Sequence, residues 1–214
     1  MTDLWPALEP LLRRIERPAR YLNREWGLVH DADATFAVAL MYPDTYEIGQ
    51  ANQAIAILAS ALRTLPDTAV ERVFLPWKDL SDLMRQEDLP LFSLESCAPV
   101  RDFDVLGITL PHELAATNML EALDLAGIPL RASARGEDEP FVIGGGPVAF
   151  NPEPVATFFD AILIGEGEEA ALEIVSAIRT ARERGLSRPE TLDALAQVSG
   201  VYVPSLYRPF LDGK

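Results

Sequence analysis

Cysteine and histidine are almost absent from this chain of 214 residues. Cys97 is the single cysteine, and His30 and His112 are the two histidines. One cysteine excludes a disulfide within the chain and any zinc or iron–sulfur site that needs several thiolates. Two histidines so far apart in sequence also disfavour a transition-metal centre built only from this chain. We therefore predict no metal-ligating residues here.

Long apolar runs and a positive net charge are also missing. No run approaches the ~18–20 apolar residues of a membrane-spanning helix. The N-terminus holds early acids and prolines, which a signal peptide would lack. The formal charge of −15, from 33 acids and 18 bases, repels nucleic-acid phosphates. We expect a soluble, cytoplasmic protein that by itself binds neither nucleic acid nor membranes.

Apolar runs alternate with helical patterns from residue 34 onward. Five runs have the length and boundaries of strands: 35–41, 70–75, 104–110, 141–143 and 161–164. Helical spacing is found at 48–64, 113–126 and 166–184. The alternation predicts an α/β fold with a doubly wound, five-stranded parallel sheet in the order 2-1-3-4-5. That order places a ligand crevice at the carboxyl ends of the first and third strands.

Two regions shorter than the main domain, 1–33 and 187–214, flank the alternating strands and helices. Residues 1–33 hold an amphipathic helix over 4–17 and a linker; we expect the helix to pack on the main domain, with docking on another domain as the alternative. The main domain is expected over 34–186. Residues 187–214 hold a short helix, the strand-like 201–203 and a terminal Asp-Gly-Lys turn, which we interpret as a linker towards a further domain.

The segment 42–49, Tyr-Pro-Asp-Thr-Tyr-Glu-Ile-Gly, follows the first predicted strand. Asp44 or Thr45 can cap the next helix, and Asp44 with Glu47 fits a capping box. Gly49 would let a backbone or a ligand approach closely. The segment is therefore either a helix cap or a ligand loop at the crevice, and both roles are compatible.

Three glycines, Gly144, Gly145 and Gly146, follow the fourth predicted strand and precede Pro147. They form a platform without side chains, which suits a large flat ligand that contacts the backbone. The alternative is a flexible turn that leads into the proline.

Acidic residues follow the fifth predicted strand in Gly-Glu-Gly-Glu-Glu, residues 165–169. Without a lysine this segment cannot be a phosphate-binding P-loop. Its acids suit the positive end of the helix dipole, although Glu166 could instead bind an amide or a ribose.

His112, just beyond the third strand, is either a surface residue or part of the crevice. No histidine or lysine lies near Cys97 in sequence to activate its thiol. Because no Ser-His-Asp arrangement stands out either, no catalytic residue is predicted.

Taken together, several segments resemble a known family. The most specific are Gly-Gly-Pro at 145–147, Asn-Pro-Glu-Pro at 151–154 and the Asp160 to Glu168 run, within a likeness that extends from about Arg20 to Tyr207. They resemble the N-terminal portion of cobalamin-binding (B12-binding) radical SAM proteins, a class of Fe–S oxidoreductases. The resemblance implies a flavodoxin-like B12-binding domain. It also implies a radical SAM domain, absent from this chain, that would hold a [4Fe–4S] cluster and S-adenosylmethionine and would be the partner of this one.

The signatures of B12-binding domains can be placed on this sequence by resemblance. In D-x-H-x-x-G, Asp44 and Gly49 match while Tyr46 stands in the histidine position; in G-x-S-x-L, Thr109 keeps the hydroxyl and Pro111 departs. Gly144 and Gly145 match the Gly-Gly signature. Tyrosine is a poor cobalt ligand at neutral pH because its phenol has a pKa near 10. Any cobalamin would then bind base-off and without a protein nitrogen.

The expected cofactor-binding residues are Asp44, Thr45, Tyr46, Gly49, Thr109, Pro111, His112, Gly144, Gly145, Gly146, Pro147 and Glu166. The leading hypothesis is a corrinoid-binding domain that presents its cofactor to the radical SAM domain. A degenerate domain that binds no cofactor and serves for docking is the first alternative. A flavin or nucleotide binder is the second.

Overall fold

A six-stranded sheet forms the centre of the computed structural model, which describes residues 1–22, 25 and 31–208. The strands are β1 (Phe36–Tyr42), β2 (Thr68–Phe74), β3 (Val105–Thr109), β4 (Phe141–Gly145), β5 (Ala161–Leu163) and β6 (Val201–Tyr202). Their order is β2-β1-β3-β4-β5-β6. The five parallel strands thus follow the predicted order, but the predicted count of five is wrong, because β6 pairs antiparallel with β5.

Helices cover both faces of the sheet, which explains why β1 and β2 are buried along their whole length. The helices are α1 (Trp5–Leu12), α2 (Tyr46–Gly49), α3 (Gln53–Leu62), α4 (Lys78–Gln86), α5 (Ala115–Leu125), α6 (Gly167–Glu183) and α7 (Arg188–Leu195). Apolar residues of α3, α6 and α7 pack on one face, and α5 packs on the other together with the segment 89–100. No helix within the described residues is both long and apolar enough to cross a bilayer.

The N-terminal helix packs on its own domain, as the sequence predicts. Leu8, Leu11 and Leu12 of α1 form a separate apolar cluster with Leu80 and Met84 of α4. The helix is shorter than its predicted range of 4–17, because it ends at Leu12. The predicted turn at 212–214 lies outside the described residues.

The predicted helix over 48–64 is divided in two. Asn52 interrupts it, since its side chain accepts a hydrogen bond from the amide of Ala54 and so caps α3. The predicted capping box of Asp44 and Glu47 is wrong. Thr45 is the N-cap residue of α2 and makes no side-chain cap, while Glu47 instead forms ion pairs with Arg17 and Arg20.

A buried aspartate that pairs with two arginines attaches the C-terminal part of the chain to the sheet. The carboxylate of Asp160 accepts hydrogen bonds from Arg135 and Arg188, each at 2.9 Å, and from the amide of Val142 at 2.8 Å. Both arginines are buried, and the guanidinium of Arg188 lies 4.3 Å from the centre of the Phe141 ring. Asp160 therefore joins the polar loop 128–140 and α7 to the sheet.

Candidate functional site

The loops that follow the parallel strands meet at the carboxyl edge of the sheet. The amide of Leu110 donates to the carbonyl of Gly145 at 2.8 Å, and the amide of Val148 donates to the carbonyl of Leu110. On the other side, the side-chain amide of Asn118 donates to the carbonyl of Pro43 at 2.9 Å. The loops after β1, β3 and β4 are thus neighbours, as the strand order requires.

A cavity of about 240 Å³ opens at this edge and extends between the sheet and helices α3 and α6. Its floor consists of side chains and glycines from the four parallel strands β1, β3, β4 and β5. Its roof consists of residues of the two helices, among them Ile57, Leu58, Ala171, Ile174 and Val175. Most of these residues are apolar, so the cavity can hold an uncharged ligand group away from water.

The three successive glycines have three different surroundings. A Cβ atom at Gly144 would lie 3.0 Å from the ring of Phe159, on the face away from the cavity. Gly146 has φ +97°, and a Cβ there would lie 3.0 Å from the carbonyl oxygen of Leu110. At Gly145 a Cβ would have no atom within 4 Å, because this residue faces the cavity. Only Gly145 lacks a structural reason to be glycine.

The predicted site residues divide into two groups. Thr109, Gly144, Gly145, Gly146 and Glu166 line the cavity. The remaining predicted residues are not among its lining: Asp44, Thr45, Tyr46, Gly49, Pro111, His112 and Pro147. Several of these lie around the same edge; His112 and Pro147, for example, are exposed in the loops after β3 and β4.

Tyr46 lies at the β2 side of the edge, where its hydroxyl donates to the carboxylate of Glu25 at 2.5 Å. Its ring meets that of Phe74 edge to face, with the ring centres 5.5 Å apart. Burial raises the pKa of Tyr46, and the hydrogen bond to Glu25 raises it further, to about 12. Arg72 extends this network by donating to Glu25 and Glu95. The phenol therefore stays protonated, and its hydroxyl is already engaged in the hydrogen bond to Glu25.

Gly49 has a packing role in the same region. A Cβ atom there would lie 2.5 Å from the Phe74 ring, so a larger residue would force α2 away from β2. Asp44 accepts a hydrogen bond from the amide of Thr45, and its own carbonyl accepts one from Leu75. These contacts fix the loop after β1 against the end of β2.

The mouth of the cavity carries acidic side chains. Glu166 is the N-cap residue of α6 without a side-chain cap, and Glu168 and Glu169 stand in its first turn. All three are exposed, and their charges suit the positive end of the helix dipole, as predicted. Within the described part of the chain, no three His, Cys, Asp or Glu residues are grouped as metal ligands.

A family model described as the N-terminal part of radical SAM proteins matches residues 54–204. The chain belongs to this family. The match includes α3, α6 and strands β2 to β6, and therefore most of the cavity, whereas the loop 42–49 precedes it. No curated protein and no solved structure matches the chain.

Sequence reasoning missed the helical half of the cavity in this radical SAM N-terminal domain. One signal could have indicated it: Ile57, which lies beside the buried face of α3 formed by Ile55, Ala59 and Leu62, is 47% exposed. Gly167 is a second signal, since a Cβ there would lie 3.2 Å from Leu58, so α6 approaches α3 closely.

Proposed function

We propose that this chain is the corrinoid-binding part of a radical SAM protein, with the cofactor held at the carboxyl edge of the sheet. The observation that carries the proposal is Gly145, whose missing side chain leaves open an apolar cavity of about 240 Å³ at that edge. Its place at the end of β4 is the place of the Gly-Gly signature in B12-binding domains, and the sheet has the strand order of the flavodoxin-like fold with β6 added.

Two regions of the chain would hold such a cofactor: the cavity, and the loops outside it. The cavity would take the lower base at the end of the nucleotide tail, with Gly145 and Thr109 at the entrance and Val105 at the inner end. The corrin ring would lie across the loops outside the cavity. Leu114 and Phe150, which are 81% and 76% exposed, lie in the loops after β3 and β4 and could contact it.

Position 46 would supply no cobalt ligand. The hydroxyl of Tyr46 donates to Glu25, and its pKa of about 12 keeps the phenol protonated at neutral pH. The proposed binding mode is therefore base-off and without a nitrogen from this loop. The bound corrinoid would supply alkyl-transfer or redox chemistry at cobalt, while the residues of this chain bind and orient it.

The partner in this proposal is the radical SAM domain of the same protein, which would hold the [4Fe–4S] cluster and S-adenosylmethionine. The family description supports this, because the family is the N-terminal part of such proteins. That domain would cover the exposed apolar residues around the cavity mouth, of which Leu114 is the most exposed.

Two other functions are less well supported. A flavin mononucleotide or a nucleotide carries a terminal phosphate with up to two negative charges, which the exposed acids Glu166, Glu168 and Glu169 at the mouth would repel more strongly than the singly charged phosphodiester of a corrinoid tail. A docking domain without a cofactor is consistent with Tyr46, whose hydroxyl is bonded to Glu25 and not free to bind a cofactor. It leaves the cavity below Gly145 without a role.

Titration of the protein with hydroxocobalamin, followed by visible absorbance and equilibrium dialysis, tests the proposal. We expect saturable binding with the spectrum of a base-off corrinoid, and loss of binding in Gly145→Val. The matched control is Gly136→Val, since Gly136 is exposed on a distant loop and a Cβ there has only an ordinary contact at 3.4 Å. Absence of binding at high micromolar cofactor would contradict the proposal and favour the docking domain.

A further inference from the structure

The inner part of the cavity offers a ligand almost no hydrogen-bonding groups. Among the described residues that line it, Thr109, Glu166 and Glu168 carry the polar side chains. Both glutamates are exposed at the mouth, which leaves Thr109, at the end of β3, as the remaining polar side chain of this lining. The backbone of the floor is paired in the ladders of β3 with β1 and β4. A polar group of a ligand would therefore be buried there without a partner.

The cavity has room for two fused aromatic rings. It extends from Thr109 to Val105 on one strand, which is about 13 Å at ~3.3 Å per residue. An apolar cavity of roughly 150 Å³ holds benzene, and this one measures about 240 Å³.

The shape of the floor also favours a flat group. Gly145 of β4 lines the cavity without a side chain, and a Cβ there would meet nothing within 4 Å, whereas at Gly107 of the neighbouring strand β3 a Cβ would lie 3.2 Å from the side chain of Leu40. A planar ring can therefore lie close to the sheet, under the helical roof.

We propose that the cavity selects the lower base of a corrinoid by its polarity, a proposal that rests on the corrinoid function proposed above. An apolar benzimidazole base is accepted, and an adenine base is disfavoured. Compared with benzimidazole, adenine buries an additional exocyclic amine and two additional ring nitrogens, and one threonine hydroxyl cannot satisfy all of them. Polar groups buried without hydrogen bonds weaken binding, so we expect adenine to bind at least about tenfold more weakly.

The free bases test the cavity without the corrin ring. Dissociation constants for 5,6-dimethylbenzimidazole and adenine are measured by NMR titration of the protein. Dimethylbenzimidazole should bind more tightly by at least about tenfold, and Gly145→Val should abolish its binding. The control Gly136→Val, on a loop away from the cavity, should leave dimethylbenzimidazole binding unchanged. Equal affinities, tighter binding of adenine or binding of neither base would overturn the inference.

The complete corrinoids then test selection in the cofactor itself. Cobalamin and its adenine-based analogue are compared in their dicyano forms, in which cyanide occupies both faces of cobalt and both lower bases are free. The benzimidazole form should bind at least about tenfold more tightly, and dicyanocobinamide, which lacks a base, should bind more weakly than it. Equal binding of all three would overturn this inference and leave the corrinoid function standing. A preference among the free bases without any corrinoid binding would support the polarity of the cavity and contradict the corrinoid function.

Discussion

Gly144 and Gly145 present their missing side chains to opposite faces of the sheet. A Cβ at Gly144 would press on the Phe159 ring at 3.0 Å, whereas a Cβ at Gly145 would meet nothing within 4 Å. Two adjacent glycines in one strand thus have unrelated roles, because successive residues of a strand face opposite sides. One permits core packing, and the other leaves the cavity open.

Valine substitutions should separate the roles of the three glycines. Gly144→Val overpacks the core against Phe159 and should lower the free energy of unfolding by about 1–3 kcal/mol. Gly146→Val forces a β-branched residue to φ +97° and should cost a similar ~1–3 kcal/mol. Gly145→Val should be neutral or stabilising by up to about 1 kcal/mol, because glycine is unfavourable in a strand.

Urea unfolding of the three variants, compared with wild type, measures these differences. A destabilised Gly145→Val would show that Gly145 is needed for the fold, and its effect on ligand binding could then no longer be assigned to the cavity.

The Tyr46 hydroxyl should make the protein sensitive to alkaline pH. Its pKa in the folded protein is raised from 10.0 to about 12, so the folded state keeps a proton that the unfolded state loses. The free energy of unfolding should therefore receive the full contribution of Tyr46 below pH 10 and lose it between pH 10 and about 12.

Tyr46→Phe should show a shallower decline over this range than wild type, and a loss of ~1 kcal/mol at pH 8 from the missing hydrogen bond. The exposed Tyr207 provides the control, Tyr207→Phe. Chemical unfolding at pH 8, 10 and 11 gives the comparison. Parallel curves for wild type and Tyr46→Phe would contradict the account of this hydrogen bond.

Cys97 should be unreactive in the folded protein. Burial raises the pKa of its thiol, and the nearby Asp3 and Glu71 carboxylates raise it further, to about 12. At pH 8 the thiolate fraction is therefore far below that of an unfolded chain, and reaction with a disulfide reagent should be at least about a hundredfold slower than in urea. Because the chain has one cysteine, the absorbance of the released thiol reports on it alone. Rapid stoichiometric labelling of the native protein would contradict the burial of this thiol.

Asp160→Asn should destabilise the protein strongly. The change leaves the buried guanidinium groups of Arg135 and Arg188 without their shared carboxylate, and breaking a buried pair costs about 3–5 kcal/mol. The control is Asp82→Asn, which removes an exposed pair with Lys78 and should cost less than ~1 kcal/mol. Similar urea midpoints for the two variants would contradict this role of Asp160.

The parallel sheet could be predicted because its strands are continuous apolar runs with turn residues at their ends. Strand β6 was recognisable only as strand-like, since a two-residue strand has no periodicity and its partner β5 is distant in sequence. The division of the helix at Asn52 depends on one side-chain cap, which helical spacing alone does not reveal.

The site was predictable where backbone topology determines it. Thr109 and Gly145 follow from the rule that ligands bind at the carboxyl ends of parallel strands. The orientation of Tyr46 was not predictable, because its partner Glu25 lies 21 residues upstream, in a segment without a periodic pattern. The cavity itself depends on how closely α3 and α6 approach the sheet, which is a result of packing that a local pattern does not contain.

The most direct test of the account is a methyl NMR titration with hydroxocobalamin. Methyl groups of Leu40, Ile143, Leu163, Ile174 and Val175 line the cavity, whereas those of Leu106, Val142 and Ile162 lie on the other face of the sheet. We expect saturable shifts of the first set, little change in the second, and no shifts in Gly145→Val. Binding that leaves the cavity methyls unchanged, or no binding at all, would contradict it.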